Sequence, residues 1–246
     1  MSDQSAWRKT RKLGSLLGME EDVSRRIQLA SVSLKNLETL WKHPSLVSDM
    51  VRLQSYKALV ECVLLYNCGT WALTDVLAEK LDRAQRKMLR RVLNVKWFDK
   101  VTNEQLYERC MTRPASLLVV DARWRLFGHT LRLNENTPAR MSMAYYFAKD
   151  IPGRKGNRTT ISSVLSSEYR DLNGLTISNI NEYSRMIDVA NDRTRWRELV
   201  DDVNLCQHNM YVEKVKRKTE LRHEAKRKRE EQAAIKAPAR VRRRIL

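Results

Sequence analysis

Two stretches constrain the fold of this chain more than any others: residues 46–73, LVSDMVRLQSYKALVECVLLYNCGTWAL, and residues 117–140, LLVVDARWRLFGHTLRLNENTPAR. In both, apolar residues recur every three or four positions, the period of a helix with one buried face. Turn-forming residues are scarce throughout, with Gly 7 and Pro 5 in 246 residues, about 5% where ~12% is usual for the pair. Little punctuation is left for hairpins. The sequence therefore predicts an all-α fold: a helical bundle, a second small helical unit, and a basic helical or disordered tail.

Residues 1–12 are polar and basic and read as a flexible arm. A bundle spans 13–150, with helices from Glu20 to about Trp41, Ser45 to Tyr66, Thr74-Asp75 to Leu93, Asn103 to Cys110, about Ser116 to Leu131, and Pro138 to Lys149. His43-Pro44 is a break, because the residue before proline is pushed out of the α region. IPGRKGNR (151–158) combines proline, two glycines and a basic cluster and reads as a linker. Helices near 159–171, 176–190 and 192–203 make the small unit at 159–205, and 206–246 is the basic tail. In the second helix, Leu46, Met50, Leu53, Leu59, Val60, Val63 and Leu64 are the expected buried stripe, with Cys62 and Cys68 as buried thiols. Trp41, Trp71, Trp97, Trp124 and Trp196 sit beside apolar helical positions and are expected to anchor the core.

A net charge of +18 points to a polyanionic partner, nucleic acid first. From Glu213 onward, 14 lysines and arginines face 5 acids. That is about half of the net charge, in a stretch with too few apolar residues to bury a face. Within the bundle, Arg83, Lys87, Arg90 and Arg91 recur at helix spacing opposite Leu81, Ala84, Met88 and Leu89. Arg125, His129 and Arg132 fall at i, i+4 and i+7, away from Trp124, Phe127 and Leu131. Charges on one side and core on the other suit a helix lying along a phosphate backbone. Lys155 and Arg158 add a basic loop. Gly128 costs its helix roughly 1 kcal/mol against alanine, which points to close packing or a kink. The four cysteines show no C-x-x-C spacing, so neither a metal site nor a cofactor is expected. No apolar run reaches the ~18 residues of a membrane span, and an intracellular protein without a membrane partner is expected.

Several of these segments resemble, in order and spacing, the region that follows the polymerase palm in reverse transcriptases of non-LTR (LINE-type) retrotransposons. The resemblance covers about Lys12 to Val203. Lys12-Leu13-Gly14-Ser15 is similar to the end of the family's primer-grip hairpin. Tyr66-Asn67-Cys68-Gly69-Thr70-Trp71-Ala72-Leu73 is similar to the tyrosine–tryptophan–leucine box of the thumb, with Gly69 where the family usually has glutamate. Arg123 to Arg132 resembles an arginine-rich box closing in Gly-His and a further arginine, continued by Thr137-Pro138-Ala139-Arg140. Gly153 to Thr160 resembles the family's basic loop, with Ile161 where tryptophan is usual. Asp192-Arg193-Thr194-Arg195-Trp196-Arg197 resembles the closing Asp-Arg-x-x-Trp box.

The resemblance implies a thumb-like, nucleic-acid-gripping region that binds RNA, DNA or hybrid duplex through phosphates. Polymerase chemistry needs two metal-binding carboxylates on a palm hairpin, and these are expected before Lys12. Asp201-Asp202 is the one lookalike, but RTRWREL precedes it at helical period, so no catalytic residue is assigned. The other reading is a basic helical scaffold or chromatin-associated protein, or a truncated element without function. In the tail, Lys216, Arg217 and Lys218, then Lys226, Arg227, Lys228 and Arg229, form two basic clusters of the nuclear-import type, and a nuclear location is expected. Residues 209–246 fused to a fluorescent protein too large for passive pore entry should accumulate in nuclei, and lose that accumulation when Lys226, Arg227, Lys228 and Arg229 become alanine. Cytoplasmic fluorescence from the unmutated fusion would leave the tail as a phosphate-binding arm only.

Overall fold

In the computed structural model, which describes residues 6–42, 46–148, 159–177 and 180–236, four helix starts are set by hydroxyl side chains that accept otherwise unpaired amides. Ser48 caps α3 (Asp49–Tyr56) through the Val51 amide, and Thr74 caps α5 (Asp75–Val92) through that of Leu77. Thr102 and Thr160 close reciprocal capping boxes on α6 (Asn103–Arg109) and α9 (Ile161–Asn173). The remaining helices are α1 (Met19–Asn36), α2 (Glu38–Lys42), α4 (Cys62–Leu64), α7 (Ala115–Leu131), α8 (Pro138–Ala148), α10 (Ile180–Asn191) and α11 (Arg193–Lys236). The fold is all-α, with one small antiparallel hairpin, β1 (Arg11–Lys12) to β2 (Ser15–Leu16).

Within the expected arm at 1–12, residues 6–12 are ordered. Ala6–Lys9 forms a 3-10 turn, and the Arg8 and Thr10 carbonyls accept from the Gly18 and Leu17 amides at 2.9 and 3.1 Å. The hairpin turns at Leu13 and Gly14, both at positive φ (45° and 84°), the backbone of a two-residue type I′ turn. Its carbonyls are held from outside: Tyr66 donates its hydroxyl to Leu13, and Arg25 and Arg26 donate to Gly14. Asp22 ties the same region to the following loop, accepting from the Leu16 amide at 2.9 Å and the Trp71 indole at 3.1 Å.

The second predicted helix departs from its expected stripe. α3 begins at Asp49, and Leu46, Met50 and Leu59 are exposed while Arg52, Leu53, Tyr56, Val60 and Leu64 are buried. Arg52, Tyr56, Val60 and Leu64 are four apart, a spacing that drifts about 120° over three intervals of a regular 3.6-residue helix. A π-helical turn at Lys57–Glu61 joins α3 to α4 and takes up much of that drift. Cys62 faces solvent, whereas Cys68 and Cys110 are buried and their thiols are pushed up to about 11 by desolvation. The first predicted helix is interrupted at Leu37. The break at His43-Pro44 and the linker at 151–158 lie outside the described residues.

Two apolar clusters share α7. The first joins α1, α2, α3, α5 and α6 with Ala115 and Val119. The second joins Val120, Trp124, Phe127 and Leu131 with Phe147, Leu165, Ile177, Tyr183, Met186, Ala190, Trp196, Val200 and Val203. It draws residues from both sides of 151–158. The chain accordingly divides at Asn204, with Met1–Asn204 as one compact unit and Leu205–Leu246 as another. In the second unit the helix continues to Lys236, exposed from Lys216 to Gln232 and laced by ion pairs such as Lys228–Glu224 at 2.7 Å.

Between the two clusters lies a buried polar junction that sequence periodicity does not reveal. Arg123 donates its Nε and Nη2 to the Trp71 carbonyl at 3.1 and 2.9 Å and pairs through Nη1 with Glu168. The Trp124 indole donates to the other Glu168 oxygen at 2.8 Å. Burial pushes the Glu168 carboxyl above the usual carboxylate range, and Arg123 and Trp124 pull it back. Removing one partner leaves an uncompensated buried charge. Glu168→Leu is expected to cost about 3–5 kcal/mol in urea unfolding, and Arg123→Met with Glu168→Leu clearly less than the two singles summed. A loss below about 1 kcal/mol for the single change would show that the pair is not buried.

Candidate nucleic-acid interface

The second core brings α11 against α7, and basic side chains line the groove between them. Asp192 caps the start of α11, its Oδ1 accepting from the Thr194 and Arg195 amides at 2.9 and 3.2 Å. Arg193 and Arg197, four apart, then share one face. Opposite them α7 presents Arg125, His129 and Arg132, and with Trp196, Val200 and Asp201 they enclose a groove of about 430 Å³. Four guanidiniums and an imidazole thus meet a single lining carboxylate.

Each wall is held differently. Arg132 is half-buried and donates Nη1 to the Ala190 carbonyl at 3.1 Å. Desolvation, and then the charge of Arg193, holds its pKa below the ordinary arginine value, so an anion between the two would relieve a repulsion already present. Arg125 is exposed and pairs with Asp121 at 3.0 Å, and Asp121 also accepts from Asn204 on α11 at 3.0 Å. Among the described residues, no hydrogen bond or ion pair occupies the side chains of His129, Arg193 or Arg197. Cations with open donors in a concave site attract a polyanion.

The floor of the groove depends on Gly128. A Cβ at this position would overlap the Trp196 indole nitrogen. The Trp196 ring is only 5% exposed and lies 5.9 Å from the Trp124 ring and 5.8 Å from that of Phe127. Its N–H is buried with no acceptor among the described residues. The close packing suggested by a glycine within a helix is therefore present, with no break in α7.

On α5, Arg83 and Lys87 are exposed, and Arg83 pairs with Glu79 at 3.3 Å. Arg90 donates to the Asn103 side chain at 2.9 Å and the Val101 carbonyl at 3.4 Å, and Arg91 pairs with Glu38. These two arginines share their donors with the protein, so the α5 face is less open than its spacing suggests. Lys155 and Arg158 lie outside the described residues. Lys216, Arg217, Lys218, Lys226, Arg227, Lys228 and Arg229 are exposed on the second unit. Asp201 and Asp202 are exposed in mid-helix on α11, which runs on past them rather than ending there.

Sequence reasoning missed Arg193 and Arg197 as site residues. Their i, i+4 spacing ahead of a core tryptophan was the available signal. Gly69, where the resemblance would place an acid, is buried against α7, and a Cβ there would lie 2.9 Å from the Ala122 carbonyl oxygen. Among the described residues no group of three or more His, Cys, Asp or Glu side chains is placed to hold a metal ion, and no helix is long and apolar enough to cross a membrane. Comparison with protein-family models, with curated proteins and with solved structures found no match to the chain.

Gly128→Ala separates local propensity from packing. Propensity alone would stabilise α7 by roughly 1 kcal/mol, whereas crowding a packed contact costs about 1–3 kcal/mol. The variant is expected to be less stable than the parent in urea, and a stabilised variant would show that Trp196 does not rest on α7.

Proposed function

We propose that this chain is a nucleic-acid-binding helical protein, of the thumb type that follows the palm in non-LTR retrotransposon reverse transcriptases, and that the α7–α11 groove grips a phosphate backbone. The observation that carries this reading is the meeting of Arg125, His129 and Arg132 with Arg193 and Arg197 on one groove. The two groups lie some sixty residues apart in the sequence and belong to two of the boxes that carry the resemblance. A second pair of boxes also meets: Tyr66 and Trp71 hold the Lys12–Ser15 turn and Asp22.

The chemistry is binding without a bond-making step. Arginine forks suit the paired oxygens of a phosphodiester, and the groove has room for a short run of sugar–phosphate backbone rather than a base pair. Such contacts fix register and carry little sequence information, so RNA, DNA or hybrid would be held with weak sequence preference. The exposed basic clusters on the second unit support additional phosphate contact and a nuclear location.

Salt dependence tests the groove directly, because each phosphate neutralised on a duplex contributes ~0.9 to the slope of log K against log salt. Arg193→Ala with Arg197→Ala should shrink that slope by about 2 and weaken all duplex sequences alike. An unchanged slope and affinity in the double variant would place the phosphates elsewhere.

A further inference from the structure

The turn between α5 and α6 presents aromatic rings to solvent. Trp97 is 91% exposed and Phe98 62%, with ring centroids 5.9 Å apart and an edge-to-face angle of 75°. Sequence position beside Val95 predicts Trp97 as a core anchor. Instead Val95 packs against the first core, its amide donating to the Arg90 carbonyl at 2.8 Å, and the chain turns outward after it. Trp41, Trp71, Trp124 and Trp196 are all buried, so among the tryptophans whose burial is described Trp97 alone is exposed.

The turn is held in shape. The Lys96 amide donates to Asp99 Oδ2 at 2.7 Å, the Asp99 amide donates to the Lys96 carbonyl at 3.2 Å, and Lys100 closes the turn at φ 50°. Arg90 fastens the following segment at Val101 and Asn103. The rings are therefore offered from a fixed backbone. Their surroundings are basic: Lys96 and Lys100 are exposed on either side, and Asp99 is the sole acid from Arg83 to Lys100. That acid is used by the turn itself.

We propose that the Trp97–Phe98 turn is a stacking site for an unpaired base, so that single-stranded nucleic acid bound along the basic end of α5 lays one base on the Trp97 ring. This rests on the nucleic-acid reading above. Aromatic rings set in a basic track are how single strands are held without sequence preference, since every base has a π-face. A protein partner fits less well. A stable interface buries about 800 Å² on each side, whereas two aromatic side chains supply roughly 300–500 Å², and lysines rather than further apolar groups border them.

The experiment compares an oligothymidylate with a blunt DNA duplex by fluorescence anisotropy, using the full chain and its Trp97→Ala and Trp97→Phe variants. Trp97→Ala is expected to weaken oligothymidylate binding about 5- to 150-fold. It should leave its salt slope and the duplex affinity unchanged, because stacking releases no counterions. Trp97→Phe should retain most of the affinity. If the parent binds both ligands and Trp97→Ala binds oligothymidylate equally well, the stacking site is overturned while the α7–α11 reading stands. If the parent binds neither, both fail. Equal weakening on duplex would assign the turn to backbone contact and overturn stacking. Self-association lost in Trp97→Ala, with oligothymidylate affinity unchanged, would assign the turn to a second copy of the chain and likewise overturn it.

Discussion

Because residue 128 has no side chain, the Trp196 indole lies directly on the backbone of α7, and this contact sets the spacing of the two helices that carry the arginines. Trp196 also belongs to an aromatic cluster with Trp124 and Phe127. Edge-to-face and tilted ring pairs of this kind add directional preference to area burial. Displacing α11 would remove Trp196, Val200 and Val203 from the second core at once. It would also separate Arg193 and Arg197 from Arg132. The groove and the core below it thus share one structural cause.

The rotation of α7 about its own axis has a second cause. Arg123 points inward, where the Trp71 carbonyl and Glu168 take up its donors. Two residues on, Arg125 lies about 200° around the helix and faces out, followed on the same side by His129 and Arg132. A buried ion pair adds little net stability compared with apolar packing. Here it fixes which side of α7 is core and which is groove. It also joins the loop before α5, α7 and α9, so the box containing Trp71 and the box containing Arg123 are linked by the same hydrogen bonds.

Helix existence and many helix starts were legible in the sequence because they depend on short-range chemistry: Thr74, Thr102 and the apolar period of α5 and α7 act within one or two turns. The face formed by Arg125, His129 and Arg132 was legible for the same reason. What was not legible depended on long-range geometry. The π turn at Lys57–Glu61 shifts the buried face, so Leu59 and Cys62 turn outward against the simple pattern. Trp97 is apolar and follows Val95, yet the backbone turns between them. Arg90 and Arg91 look like open charges until Val101, Asn103 and Glu38 are brought beside them. Arg193 and Arg197 join a basic groove only through helix α7.

The groove is tested most directly by following arginine side-chain Nε–Hε resonances while a short duplex is titrated into the protein. Arg132, Arg193 and Arg197 should shift together and saturably. Arg123 should not, because its Nε is already donated to Trp71 inside the protein. Perturbations confined to Arg217, Arg222, Arg227 and Arg229 of the second unit would contradict the groove and reduce nucleic-acid binding to a property of the basic helix alone.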